Sequence, residues 1–193
     1  MKVLVVYAHP NPKSFNHAIL EELQRGLIDG GHACDVIDLY ATQFDPRLSG
    51  EDFAAYSSGG VLDDVKEHQE KISAADALIF IYPIWWWHAP ALFKGWIDRV
   101  MTLNFAFTFD DRGSEGLLKH KKIVFINTTM GPQKQYEDTG IANAITKIDE
   151  ATWRLVCGVK DVQHFFLYSV GDNDEVRRGY LEKVYNLGKE FIS

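Results

Sequence analysis

The chain is poor in most of the features that narrow a function quickly. Among 193 residues only Cys34 and Cys157 are cysteines, far apart and in no metal-ligand spacing. A disulfide framework is therefore not expected, and a reducing cytoplasm is the simplest setting. No apolar run approaches the length of a membrane span, and the opening run Val3-Leu4-Val5-Val6-Tyr7 is too short for a signal peptide. No membrane insertion is expected. Basic residues are also scarce: Lys+Arg 20 against Asp+Glu 27 gives a net charge of −7, with no basic block. A binder of nucleic acid needs the opposite bias, so no nucleic-acid partner is expected. The 7 histidines form no HxH, HxxxH or HExxH pair, and no GxSxG elbow appears, so neither a metal site nor an activated nucleophile is supported. Both the dinucleotide and the P-loop glycine motifs are missing. Any redox or group-transfer chemistry then has to come from a bound cofactor.

Four short apolar runs, Val3 to Tyr7, Ala77 to Tyr82, Ile123 to Asn127 and Val162 to Tyr168, are rich in Val, Ile, Phe or Tyr. Continuous runs of this length predict strands buried on both faces of a parallel sheet. Cys34 to Leu39 alternates apolar and acidic residues, as an edge strand does. Between the strands, helical period appears in Asn16 to Gly30, Val61 to Ala74, Ala91 to Leu103, Ile141 to Trp153 and Asn173 to Ile192. The alternation predicts one α/β domain over residues 1–193, a three-layer α/β/α sandwich with five parallel strands in the order 2-1-3-4-5. Ala41 to Gly60 and Phe105 to Lys119 read as long irregular segments, which in compact domains serve function or a partner.

Ligands of such sheets bind beyond the carboxyl ends of the strands. After the first strand, His9-Pro10-Asn11-Pro12-Lys13-Ser14-Phe15-Asn16 places Ser14 as the N-cap of a helix. Free N–H groups, a hydroxyl, an amide and an imidazole there suit a phosphate, although a plain capped helix reads equally well. After the third strand comes Pro83-Ile84-Trp85-Trp86-Trp87-His88-Ala89-Pro90. Three consecutive Trp side chains cannot all enter one core. They point to a wall for a planar cofactor, to a dimer contact, or to both. After the fourth strand, Thr128-Thr129-Met130-Gly131 offers hydroxyls and close backbone approach to a polar ring edge.

Tyr7-Ala8-His9-Pro10, Ser14-Phe15-Asn16, Pro83-Ile84-Trp85-Trp86-Trp87, Thr128-Thr129 and the long stretch Pro90-Ala91-Leu92-Phe93-Lys94-Gly95-Trp96-Ile97-Asp98-Arg99-Val100 resemble the NAD(P)H:quinone oxidoreductase family, the flavodoxin-like group that includes DT-diaphorase and shorter bacterial members. The similarity runs in order from Met1 to about Gly171. It implies that His9, Ser14, Phe15 and Asn16 hold the phosphate or pyrophosphate of a flavin. Pro83, Ile84, Trp85, Trp86 and Trp87 would lie along the isoalloxazine, with Thr128, Thr129 and Gly131 at its polar edge. Tyr136 would hydrogen-bond near the pyrimidine side and be the nearest proton-carrying side chain. Phe107 and Phe109 would close the substrate pocket from the other subunit of a homodimer. The implied reaction is ping-pong hydride transfer from NAD(P)H through flavin N5 to a quinone or similar small acceptor. Azo- or nitro-reduction by the same chemistry, and a regulatory subunit of a potassium-efflux system, are the alternatives. The family's catalytic His, six positions after the Tyr, falls on Ala142. The C-terminal extension of the longer enzymes, which helps cover adenine, has no counterpart. The match at His9 and Ser14-Phe15-Asn16 points to FAD, with FMN the alternative.

Overall fold

Apolar strands flanked by amphipathic helices satisfy their backbone groups in a parallel ladder and bury both sheet faces. The computed structural model describes residues 1–171 and 174–191. In chain order these contain β1 (Lys2–Tyr7), α1 (Phe15–Asp29), β2 (Ala33–Asp38), α2 (Gly50–Ser57), α3 (Asp63–Ser73), β3 (Ala77–Pro83), α4 (Ala91–Val100), β4 (Phe107–Asp110), β5 (Gly113–Gly116), β6 (Lys122–Thr128), α5 (Gln133–Asp138), α6 (Ile141–Glu150), β7 (Val162–Leu167) and α7 (Asp174–Lys189). The main sheet has the order β2-β1-β3-β6-β7, all parallel. This is the expected 2-1-3-4-5 arrangement, with β4 and β5 set apart as an antiparallel hairpin.

Alternate residues of each strand face opposite ways. Val3, Val5 and Tyr7 pack with Ile19, Leu23 and Leu27 of α1 and with Val184 of α7. Leu4 and Val6 face the other side, with Val65 of α3, Phe93 and Trp96 of α4, and Trp153. On the first side α1 and α7 meet almost backbone to backbone. A Cβ on Gly26 would stand 2.1 Å from the carbonyl oxygen of Tyr185, so only glycine fits that crossing.

Three expectations need correction. Ala41 to Gly60 is not wholly irregular: Ser49 caps α2 through Asp52 N–H while the Asp52 carboxylate accepts from the Ser49 backbone, a capping box. Phe105 to Lys119 holds the β4–β5 hairpin, because Phe107 and Phe109 alternate with polar residues and Gly113 turns the chain at φ 117°. The helix expected over Ile141 to Trp153 is α-helical only to Glu150, then widens into a π-helical turn over Ala151–Val156 that carries the fully buried Trp153. The other ends shift by a few residues: α4 stops at Val100 rather than Leu103, and Asn173 and Ile192 lie outside the described residues.

Arg99 of α4 fixes the long connection before α3. Its guanidinium donates to Asp52 (2.9 Å), to Asp64 (2.6 and 3.1 Å) and to the Asp45 carbonyl (2.9 Å), and it lies 5.1 Å from the centre of the Phe44 ring. Burial alone would raise the Asp52 carboxyl, but the Ser49 and Arg99 contacts hold it below its usual range.

Candidate functional site

The strand register aligns Tyr7 with Ile81, Pro83 with Thr128, and Thr128 with Leu167, so the loops after β1, β3 and β6 leave the sheet at one edge. In this strand order the chain turns back between β1 and β3, and a crevice opens there. Side chains and backbone stitch the loops together. Asn16 Nδ2 donates to Thr128 Oγ1 at 2.8 Å, and the Ile84 N–H donates to the Thr128 carbonyl at 2.9 Å. The His9 and Trp85 rings meet edge to face, 5.9 Å apart.

Ser14 caps α1 as expected, accepting from the His17 N–H, and its hydroxyl lies 3.4 Å from the Tyr7 phenol. Burial pushes the His9 imidazole below its usual value, with the Asn11 backbone opposing, so His9 is neutral near pH 7. Phe15 packs against the core on the α1 side. Asn16 is buried, and its Oδ1 has no hydrogen-bond partner among the described residues.

The tryptophan loop is a two-residue reverse turn. Trp85 and His88 exchange both backbone hydrogen bonds, at 2.9 and 3.0 Å, and between them Trp86 and Trp87 take φ values of 50° and 65°. Two left-handed residues in succession make a type I′ turn, a conformation favoured by Asn and Gly and costly for Trp by roughly 1–2 kcal/mol per residue. Such strain persists where it serves a purpose, since nothing in folding rewards it. It leaves Trp86 92% exposed and swings Trp87 against Tyr136, with ring centres 5.2 Å apart.

Ile84, Trp86, Trp87, Gly131 and Tyr136 thereby border one cleft of about 260 Å³. A Cβ on Gly131 would stand 3.1 Å from the Tyr136 ring and crowd this cleft. Burial pushes the Tyr136 phenol above its usual value against a smaller opposite effect of Thr129, so it stays protonated and able to donate. Thr128 and Thr129 are buried beneath the cleft, and the Thr129 hydroxyl donates to the Gly131 carbonyl at 2.9 Å. Pro83 is buried at the end of β3. Phe107 and Phe109 lie on the β4–β5 hairpin and are not among the residues bordering this cleft. Phe109 is exposed, while Phe107 packs partly on the core.

The cleft also takes in Met130, within the loop noted after the fourth strand, and Gln135, which no sequence motif singled out. Behind Tyr136 the rings of Tyr168 (5.3 Å) and Phe166 (6.2 Å) hold its orientation. Their signal was present in the strand alternation: His164 and Phe166 share one face of β7, and Tyr168, one residue past its end, stacks on Phe166.

The family model for the flavodoxin-like fold matches residues 1–187. The chain belongs to this flavodoxin-like family. It is 34% identical over 157 residues to the human ribosyldihydronicotinamide dehydrogenase [quinone], covering 72% of this chain and 68% of that one. It is 30% identical to an uncharacterized NAD(P)H oxidoreductase of Haemophilus influenzae, covering 94% of this chain and 91% of that protein. The structure superposes on the NAD(P)H:quinone oxidoreductase of Methanothermobacter marburgensis with a TM-score of 0.92, at 32% identity and covering 100% of this chain. The chain is thus similar over most of its length to proteins named for quinone reduction. Among the described residues of this family member, no group of three or more His, Cys, Asp or Glu side chains is placed to hold a metal ion, and no helix is long and apolar enough to cross a membrane. Both thiols are pushed up to about 11 by burial, which keeps them unreactive.

Proposed function

We propose that the chain is a flavin-dependent oxidoreductase that takes hydride from NAD(P)H and passes it to a quinone or similar small acceptor in a ping-pong cycle. The observation that carries this reading is the strained Trp86–Trp87 turn, which spends conformational energy to hold two indoles beside Tyr136 and Gly131 at the strand ends. A flavin fits these residues: flat apolar rings along one wall, a crowded glycine that admits an edge, and a protonated phenol beside it. A flavin, when bound, accepts hydride from a nicotinamide and returns it to an acceptor.

The chain's own groups would do the rest. Ser14, Phe15 and Asn16 at the start of α1, with the neutral His9, would bind the phosphate end, where the helix N–H groups favour negative charge. Trp85, Trp86 and Trp87 would orient the ring system and exclude water from one of its faces. Tyr136 would hold a proton near the pyrimidine edge, the role left open by Ala142. Thr128 and Thr129 fix the loop that carries Gly131. FAD is the favoured form and FMN the alternative. The reading also includes a three-layer sandwich as a single domain, a homodimer in which Phe107 and Phe109 of one chain close the pocket of the other, and a cytoplasmic location.

The test is the absorption spectrum of the purified protein, with acid release and chromatography of the chromophore. A yellow protein that oxidises NAD(P)H with quinones is expected. Ser14→Ala combined with Asn16→Ala should lower flavin affinity at least tenfold. A colourless protein that takes up neither flavin on titration would end the reading.

A further inference from the structure

A second pocket lies on the far side of Trp87. It runs between the start of α4 and the face of α6, is bounded by Tyr82, Phe93, Ile145, Ile148 and Trp153, and holds about 210 Å³. An apolar cavity of about 150 Å³ is enough to bind benzene, so this one accommodates a one- or two-ring molecule. Its lining is mostly aromatic and aliphatic; His88, Lys94 and Thr152 also border it, and the acidic member is Asp149, whose side chain is 16% exposed.

Asp149 is fixed by a specific support. His164 of β7, with its side chain 5% exposed, places Nε2 2.6 Å from Asp149 Oδ2. Since the carboxylate can only accept, Nε2 carries the proton that is shared. The imidazole is clamped in turn between Phe125 (4.6 Å, 8° between planes) and Phe166 (4.6 Å, 27°). A half-buried carboxylate held by a stacked histidine at the margin of an aromatic pocket gives up part of its hydration, a cost that a neutral side chain would avoid. It therefore has work to do as an acceptor. On α6, Asp149 lies seven residues after Ala142, two turns along the same face.

We infer that this pocket binds a flat aromatic molecule bearing a hydroxyl group, with the O–H donating to Asp149 and the ring lying against Trp87. The ligand is a neutral donor rather than an organic cation, because the Lys94 ammonium borders the same pocket. The inference rests on the preceding reading only for the chemical class it suggests: a phenolic or hydroquinone-like form of the acceptor is retained or selected here, beside the cleft rather than in it. His164 acts as a positioning residue, through Asp149.

The experiment is calorimetric titration of the protein as purified, without NAD(P)H, using naphthol and methylnaphthalene. These redox-inert probes match in size and differ in the hydroxyl. Wild type should bind naphthol about tenfold tighter, the discrimination expected of a hydrogen bond to a charged acceptor at the edge of an apolar pocket. Asp149→Leu should abolish that preference while leaving methylnaphthalene binding intact. His164→Gln, which still offers an N–H to the carboxylate, should keep the preference, and His164→Leu should lose it. Ile148→Trp, on the exposed rim, should block both probes with the Asp149–His164 pair untouched, which covers the case of a poorly folded Asp149 variant. Equal affinity of wild type for the two probes, or a preference that survives Asp149→Leu, overturns the inference. Flavin content is measured on the same samples: a colourless protein that still prefers naphthol would end the flavin reading alone, and a yellow protein without the preference would end this one alone.

Discussion

Two groups of tryptophan divide the molecule. Trp96, in α-helix, and Trp153, in the π-helical turn, are fully buried against Phe80 and Phe125 with right-handed backbone, and the Trp96 indole N–H donates to His68 Nδ1 at 2.9 Å. Trp85, Trp86 and Trp87 sit in a left-handed turn with their rings exposed. The same side chain contributes to stability in one place and is held at a conformational disadvantage in the other. Burial of apolar area organises the core, whereas the loop beyond β3 departs from what burial and backbone preference would choose. That contrast separates what folds the chain from what it presents to a ligand.

The contrast breaks most visibly at Trp153. Trp153→Ala should destabilise the fold by about 3–5 kcal/mol, because the surrounding aromatic cluster cannot collapse into the space. Chemical denaturation monitored by circular dichroism measures it, and a loss below about 1 kcal/mol would mean that the buried tryptophans are not the structural set.

Next comes the Arg99 cluster. Arg99→Ala leaves Asp52 buried and uncompensated, at an expected loss of about 3–5 kcal/mol. The same pair sets an acid limit. The folded Asp52 carboxyl lies below its unfolded value of about 3.9, so its stabilisation is complete above that value and is lost as pH falls through the lower, folded one. Denaturation midpoints taken on either side of pH 4 should therefore fall less steeply in Asp52→Asn than in wild type; parallel curves would remove Asp52 from the account.

The smallest effect has the opposite sign. Replacing the turn by its favoured residues, Trp86→Asn with Trp87→Gly, should stabilise the protein by about 1–2 kcal/mol. Flavin retention should fall in the same variant. A less stable double variant would show that the exposed indoles pack for structure after all.

Much of the architecture was legible because it obeys simple periods. The inner strands β1, β3 and β6 announce themselves as apolar runs, and the edge position of β2 shows in its alternation. What escaped has physical reasons. Asp52 is the one buried residue of α2, so that helix carries no apolar stripe and depends on Arg99 across the fold. The second strand of the hairpin, Gly113-Ser114-Glu115-Gly116, has no apolar residue at all. Within the site, the loops after β1, β3 and β6 could be named from their position, but a left-handed backbone at two tryptophans has no sequence signature. Nor does the pairing of Asp149 with His164, which joins a helix to a strand across fifteen positions of chain.

The close crossing of α1 and α7 bears on synthesis. Gly26 and Tyr185 touch, so the first helix, whose apolar stripe lies on β1 and β3, is fully covered only when the last described one has been made. At roughly 5–20 residues per second, a ribosome leaves that helix partly uncovered for about ten to thirty seconds. The nascent chain has its β1 strand and α1 helix in hand almost from the start, yet must wait for α7 to complete their burial. It is in that interval, rather than in the finished molecule, that this protein has most need of a chaperone.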